Sequence, residues 1–124
     1  MILLDSSIWL AYVYGPNEKV KQLVDSDEEI LISVLSLFEI KRKLLLNGLP
    51  IQKIDKALSL MRGRSLVIDV NRVVSESAAQ ISFHHKLSTA DAIIYATTLE
   101  KKSLLVTADN DFVHLPNVRI IKLD

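Results

Sequence analysis

Apolar residues fall into two rhythms along this chain. Five short runs are continuously aliphatic: Ile2–Leu4, Ile30–Ser33, Leu66–Ile68, Leu104–Thr107 and residues 118–121. They lack the alternation of a half-exposed strand, so each reads as a β-strand buried on both faces. Between them, apolar positions recur at helical spacing. Ser6–Tyr14 reads as a helix closed by Gly15-Pro16, and Glu18–Val24 as a second short one. Residues 34–47 form a third, stopped by Gly48. Pro50 suits a first helical position, where no N–H is needed, and Ile51, Ile54, Leu58 and Met61 then recur up to Gly63. Residues 70–86 make another helix, and Ser88 caps a last one running to about Lys101.

Strands alternating with helical crossovers predict an α/β fold, with three layers (α/β/α) and a mainly parallel sheet of about five strands. No repeat, low-complexity tract or linker interrupts the pattern, so residues 1–124 read as one domain. The content is 49% hydrophobic with three Gly and three Pro, which suits an ordered core rather than a disordered chain.

Composition removes several chemistries. With no cysteine there are no disulfides, thiolate ligands or cysteine nucleophiles, and the chain fits a reducing cytoplasm. No apolar run approaches the ~18 residues of a membrane-spanning helix. Met1-Ile-Leu-Leu meets Asp5 without a basic stretch, so no signal peptide is expected. Net charge is zero, which counts against a protein that binds a polyanion through overall basicity. Local clustering of cations, a bound metal or a partner's basic surface would each offset this.

The acids carry the chemistry. In parallel α/β sheets, ligands bind beyond the carboxyl ends of the strands. Asp5 follows the first strand directly, and Asp109 follows the fourth by one residue. If those strands are neighbours, both carboxylates reach the same edge. Asp91 lies in the first turn of the helix preceding the fourth strand, and Glu39 in the helix after the second. Carboxylates so gathered resist ionisation together, and a hard cation such as Mg²⁺ or Mn²⁺ relieves them. Such a site activates water against a phosphodiester without another nucleophile, and no G-x-S-x-G or H-E-x-x-H competes.

Each acid also has an ordinary structural role available. Asp5 can cap the helix beginning at Ser6, Asp91 stands in a capping-box position after Ser88, and Asp109 can cap the turn over residues 110–113. Glu39 resists this reading, because Leu35, Leu37, Phe38, Ile40, Leu44 and Leu46 surround it on a helical wheel, leaving Arg42 or Lys43 as ion-pair candidates. His84, His85 and His114 read as surface residues, and Trp9, Tyr12 and Tyr14 as packing or subunit contact rather than base-stacking groups. The Lys41-Arg42-Lys43 run is either a solvated face or a nucleic-acid contact.

The succession I-L-L-D-S-S, S-L-F-E-I, S-T-A-D-A-I-I-Y-A-T and L-L-V-T-A-D-N-D-F resembles the PIN-domain family, above all the VapC-like toxin ribonucleases of type II toxin–antitoxin pairs. The resemblance spans nearly the whole chain. It implies strand order 3-2-1-4-5 and an acidic quartet of Asp5, Glu39, Asp91 and Asp109, with Asp5 and Asp91 as the most direct metal ligands. Ser6, Thr107 and Asp111 are implied as supporting residues, and Mg²⁺ or Mn²⁺ as cofactor. It further implies an RNA substrate cut to leave 5′-phosphate and 3′-hydroxyl ends, a homodimer, and an antitoxin that enters the acidic crevice.

Two other readings compete. A receiver-like signalling domain needs an acidic pair after the first strand and an aspartate after the third, but one Asp follows the first strand here and LVIDV runs into Asn71-Arg72. A non-catalytic RNA-binding or scaffold module on the same fold would have no need to keep four acids.

Overall fold

The computed structural model describes residues 1–123. Its elements, in chain order, are β1 (Ile2–Leu4), α1 (Ser6–Tyr14), α2 (Glu18–Val24), β2 (Ile30–Ser33), α3 (Val34–Leu46), α4 (Ile51–Arg64), β3 (Leu66–Ile68), α5 (Arg72–His85), α6 (Thr89–Glu100), β4 (Leu104–Thr107), a 3₁₀ turn (Asn110–Phe112) and β5 (Val118–Ile120). The five strands are all parallel in the order β3-β2-β1-β4-β5. The expected architecture and strand order are therefore both present.

Continuous aliphatic strands are needed because the sheet has no solvent face. Ile2, Leu4, Ile30, Ile32 and Val106 point to one side, where they pack with Ile8 and Trp9 of α1, Val20 and Val24 of α2, Ile40 and Leu44 of α3 and Ile54 of α4. Their alternates Leu3, Leu31 and Leu105 point to the other, against Val74 and Ala78 of α5, Ala92 to Ala96 of α6, and Phe112. Each fully buried Leu or Ile is worth about 1.5–3 kcal/mol of transfer free energy, so both layers of helices are held by the same three central strands.

Several helix limits differ from expectation, each for a local reason. Asn47 is the C-cap of α3, and left-handed Gly48 (φ 76°) completes the stop through bonds that close back onto Leu45 and Leu44. Pro50 is the N-cap of α4 rather than its first residue, so its carbonyl receives Lys53 and Ile54. α4 also runs through Gly63, because Arg64 anchors its end: the guanidinium donates to the carbonyls of Val24, Ser26 and Glu28. α5 begins at Arg72, since the Asn71 side chain accepts the Val74 amide as an N-cap. It ends at His85, with Lys86 in the left-handed region. β5 ends at Ile120, one residue before the expected boundary.

Among the described residues, no helix is long and apolar enough to cross a membrane.

Candidate active site

The sheet order makes β1 and β4 neighbours, with Leu4 opposite Val106, so the two chains leave the sheet side by side. Asp5 and the segment Thr107 to Asp109 thus meet at the carboxyl edge. β2 flanks β1 on its other side, and α3 rises from it carrying Glu39 in its second turn. α6 starts at the same edge, with Asp91 in its first turn.

Asp5 is buried and fully engaged. As N-cap of α1 its Oδ1 accepts the amides of Ser7 (3.1 Å) and Ile8 (3.4 Å), and the Ser7 hydroxyl donates to the same oxygen at 2.5 Å. Oδ2 accepts the buried Thr107 hydroxyl. Both hydroxyls in turn accept backbone amides of the loop after β4: Ala108 N–H donates to Ser7 Oγ and Asp109 N–H to Thr107 Oγ1, each at 3.0 Å. One hydroxyl proton cannot serve two acceptors. The 3.4 Å Ser7–Thr107 approach is therefore a contact, with both protons committed to Asp5. Burial raises the Asp5 pKa and the four donors pull it back, burial being the larger effect.

Asp91, Asp109 and Asp111 form the second part of the crevice. Each presents a carboxylate oxygen within 4.8 Å of the other two. An octahedral ion with bonds of ~2.1 Å separates its ligand oxygens by about 3–4 Å, so small side-chain adjustments would let this group hold one. No Lys or Arg compensates them: among the described residues, none of the five acids forms an ion pair. The Asp91 pKa is raised by burial first, then by Asp109, with Asp111 and Asp5 adding to it and Ser88 opposing. Glu39 is half-buried and raised by burial, then by Asp91 and Asp5, with the Ser6 hydroxyl opposing. Burial first, and neighbouring carboxylates second, thus disfavour the ionised forms of Asp91 and Glu39.

Asp5 and Asp109 also cap: Asp109 Oδ1 accepts the Asp111 amide at 2.9 Å. At α6 the cap is Ser88, whose Oγ accepts the Asp91 amide, and the Asp91 carboxylate does not bond back to the Ser88 amide. For Asp5 and Asp109, capping and placement at the sheet edge coexist because both put a carboxylate between a strand and the turn or helix that follows it.

Sequence reasoning misjudged two details. Glu39 is not ringed by buried side chains: Phe38 and Leu46 of α3 are 63% and 65% exposed, and its buried face is Ser36, Ile40 and Leu44. Beside the expected Thr107, a second hydroxyl on Asp5 is that of Ser7, which was overlooked, while Ser6 stands beside Glu39. The signal was available, since an N-cap reaches the second and third helical residues and not the first. His84, His85 and His114 are exposed, as expected. Trp9 is core and packs edge-on to Tyr12 with ring centroids 5.9 Å apart, and Tyr14 accepts a hydrogen bond from Asn47.

The profile of the PIN domain matches residues 2–118. The chain belongs to the PIN-domain family. Members of this family are typically nucleases that depend on divalent metal. Among solved structures, a chain of a toxin–antitoxin complex from Klebsiella pneumoniae is 21% identical, with TM-score 0.83 over 96% of both chains. VapBC2 from Rickettsia felis, bound to a promoter DNA fragment, matches over 100% of both chains at 18% identity and TM-score 0.81. The sarcin–ricin-loop-cleaving toxin VapC20 of Mycobacterium tuberculosis is 18% identical, with TM-score 0.76 over 94% of this PIN domain and 95% of its own chain. At these identities the likeness is one of fold. No curated protein sequence matches the chain.

Proposed function

We propose that this PIN domain is a divalent-metal-dependent endoribonuclease and the toxin of a toxin–antitoxin pair. The observation that carries the reading is the Asp91–Asp109–Asp111 group, uncompensated by any cation, beside a buried Asp5 and a half-buried Glu39. Asp91 and Asp109, with Asp111 as the outermost donor, would hold Mg²⁺ or Mn²⁺. When bound, the ion supplies Lewis acidity and a more acidic water for phosphodiester hydrolysis. Asp5 acts as a fixed negative wall whose orientation Ser7 and Thr107 set. Glu39, its pKa raised, is suited to take up a proton from water attacking the phosphate. Hydrolysis in this manner leaves a 5′-phosphate and a 3′-hydroxyl.

The structures of similar fold include toxin–antitoxin complexes, which supports an antitoxin as partner here. A partner's arginine placed among these carboxylates would compete with the metal through paired hydrogen bonds. We extend the reading to a homodimer working in the cytoplasm.

The test is cleavage of structured RNAs by the purified protein with Mn²⁺ and with EDTA, beside the same chain expressed in cells alone and with its neighbouring reading frame. Metal-dependent cleavage and relievable growth arrest are expected. Cleavage in EDTA contradicts the nuclease mechanism, absence of cleavage favours a scaffold module, and arrest that the neighbour fails to relieve contradicts the pairing.

A further inference from the structure

Cations scattered along the sequence come together beside the acidic crevice. A cleft of about 490 Å³ opens between α2 and β5, lined by Lys19, Gln22 and Leu23 on one side and Arg119 to Lys122 on the other. A second cavity, of about 500 Å³, shares Ile120, Ile121 and Lys122 with it and continues to Ala108 and Asn110. Those last two residues belong to the loop that carries Asp109 and, through its amides, fastens Ser7 and Thr107. The two hollows therefore run together along the outer edge of the sheet and reach the residues on either side of Asp109.

The register explains why they lie there. Arg119 stands opposite Val106, Ile120 opposite Thr107, and the Ile121 amide donates to the Thr107 carbonyl at 2.8 Å. The end of β5 is thus level with the acids. β5 is the outermost strand, so no further strand covers it. Lys19, Arg119 and Lys122 are exposed, and none makes an ion pair with another described residue. Between them, Leu23 and Ile120 are only partly buried and offer apolar surface within the cleft.

We infer that the α2–β5 groove is the track for the sugar–phosphate backbone of the RNA strand leaving the acidic crevice, with Lys19, Arg119 and Lys122 neutralising successive phosphates. The inference rests on the nuclease reading. Three exposed cations with apolar surface between them match a polyanion that carries riboses and bases. The groove also answers the zero net charge, because its three cations are gathered on one local surface.

The test measures fluorescence anisotropy of a 5′-fluorescein-labelled oligoadenylate RNA in EDTA, across a range of KCl concentrations, for the full chain. The triple variant Lys19→Gln/Arg119→Gln/Lys122→Gln is compared with wild type and with Lys53→Gln/Lys56→Gln, which neutralises two exposed lysines of α4 outside the groove. Three lost phosphate contacts should make the slope of log affinity against log salt shallower by roughly 2 and weaken binding at low salt at least about tenfold. The α4 variant should match wild type, and thermal melting should show all three folded. Equal loss in both variants overturns the inference, since any lost charge then suffices. Wild-type affinity and slope in the triple variant overturn it too, and leave the open edge of β5 to peptide pairing. Metal-dependent RNA cleavage by wild type keeps that second failure separate from failure of the nuclease reading; a wild type that neither cleaves nor binds RNA overturns both.

Discussion

Asp5 and the Asp91–Asp109–Asp111 group share one crevice, yet the chain treats them in opposite ways. Every oxygen of Asp5 is met by donors, two amides and two hydroxyls, and the side chain is 6% exposed. The three other aspartates are intermediate or exposed, present oxygens within 4.8 Å of one another and make no ion pair among the described residues. Asp5 is a carboxylate whose requirements the fold has met. The trio is one whose requirements it has left open. Asp5 is the deepest acid and the most firmly held: three donors crowd Oδ1, while Oδ2 accepts only the Thr107 hydroxyl and keeps a lone pair that a cation could use. The three carboxylates gathered closely enough to share one ion are those of the trio.

The largest effect that would break this contrast comes from unfastening Asp5. Thr107→Val removes the donor to Oδ2 and keeps the side chain's shape. We expect RNA cleavage to fall about 10- to 100-fold, as for other residues that orient a metal site from behind. Stability should fall by about 1–3 kcal/mol for the buried oxygen left unmet, while Thr107→Ser restores most of both. Single-turnover kinetics and urea melts measure them, and unchanged cleavage in the valine variant would show that Asp5 needs no such anchor.

Metal removal probes the other corner. Mn²⁺ at about 100 times its Kd should stabilise the protein by about 2.7 kcal/mol. EDTA should reverse the gain, and Asp109→Asn should abolish most of it. Scanning calorimetry reads this directly. Stabilisation that survives in Asp109→Asn but disappears in Asp5→Asn would invert the comparison.

The smallest effect concerns pH without metal. The pKa values of Asp91 and Glu39 are raised in the folded state. The fold therefore disfavours their ionised forms, and the cost is full above the folded pKa. Stability is regained as pH falls through the folded pKa towards the ordinary carboxylate range near 4. Asp91→Asn removes this cost, so at neutral pH in EDTA it should be more stable than wild type by about 0.5–1 kcal/mol. The difference should vanish in acid. A variant less stable than wild type at neutral pH would mean that Asp91 contributes more through the fold than it costs by repulsion.

The strands and the acids at their ends were legible in sequence because a parallel sheet leaves both signatures locally: unbroken aliphatic runs, then a carboxylate within two residues. Strand order was reached through resemblance, since nothing in a run such as Leu104–Thr107 says which neighbour it takes. Where side-chain direction mattered, sequence was less informative. Counting Phe38 and Leu46 as inward made Glu39 look enclosed, yet both are exposed and α3 buries Ser36, Ile40 and Leu44, with Leu35 and Leu37 partly covered. Ser6 and Ser7 are the same residue type, and only the cap geometry of Asp5 separates them. Gly63 reads as a stop until Arg64 is seen tied to three carbonyls, one at the end of α2 and two in the loop before β2. Lys19, Arg119 and Lys122 lie too far apart in sequence to form a motif.

The most direct test of the account is single-turnover cleavage of one RNA against Mn²⁺ concentration, for wild type and Asp91→Asn. Wild type should show saturable dependence on Mn²⁺, and the variant a loss of about 100-fold or more even at high metal. Cleavage by wild type that persists in EDTA, or Asp91→Asn cleaving at the wild-type rate, would contradict it.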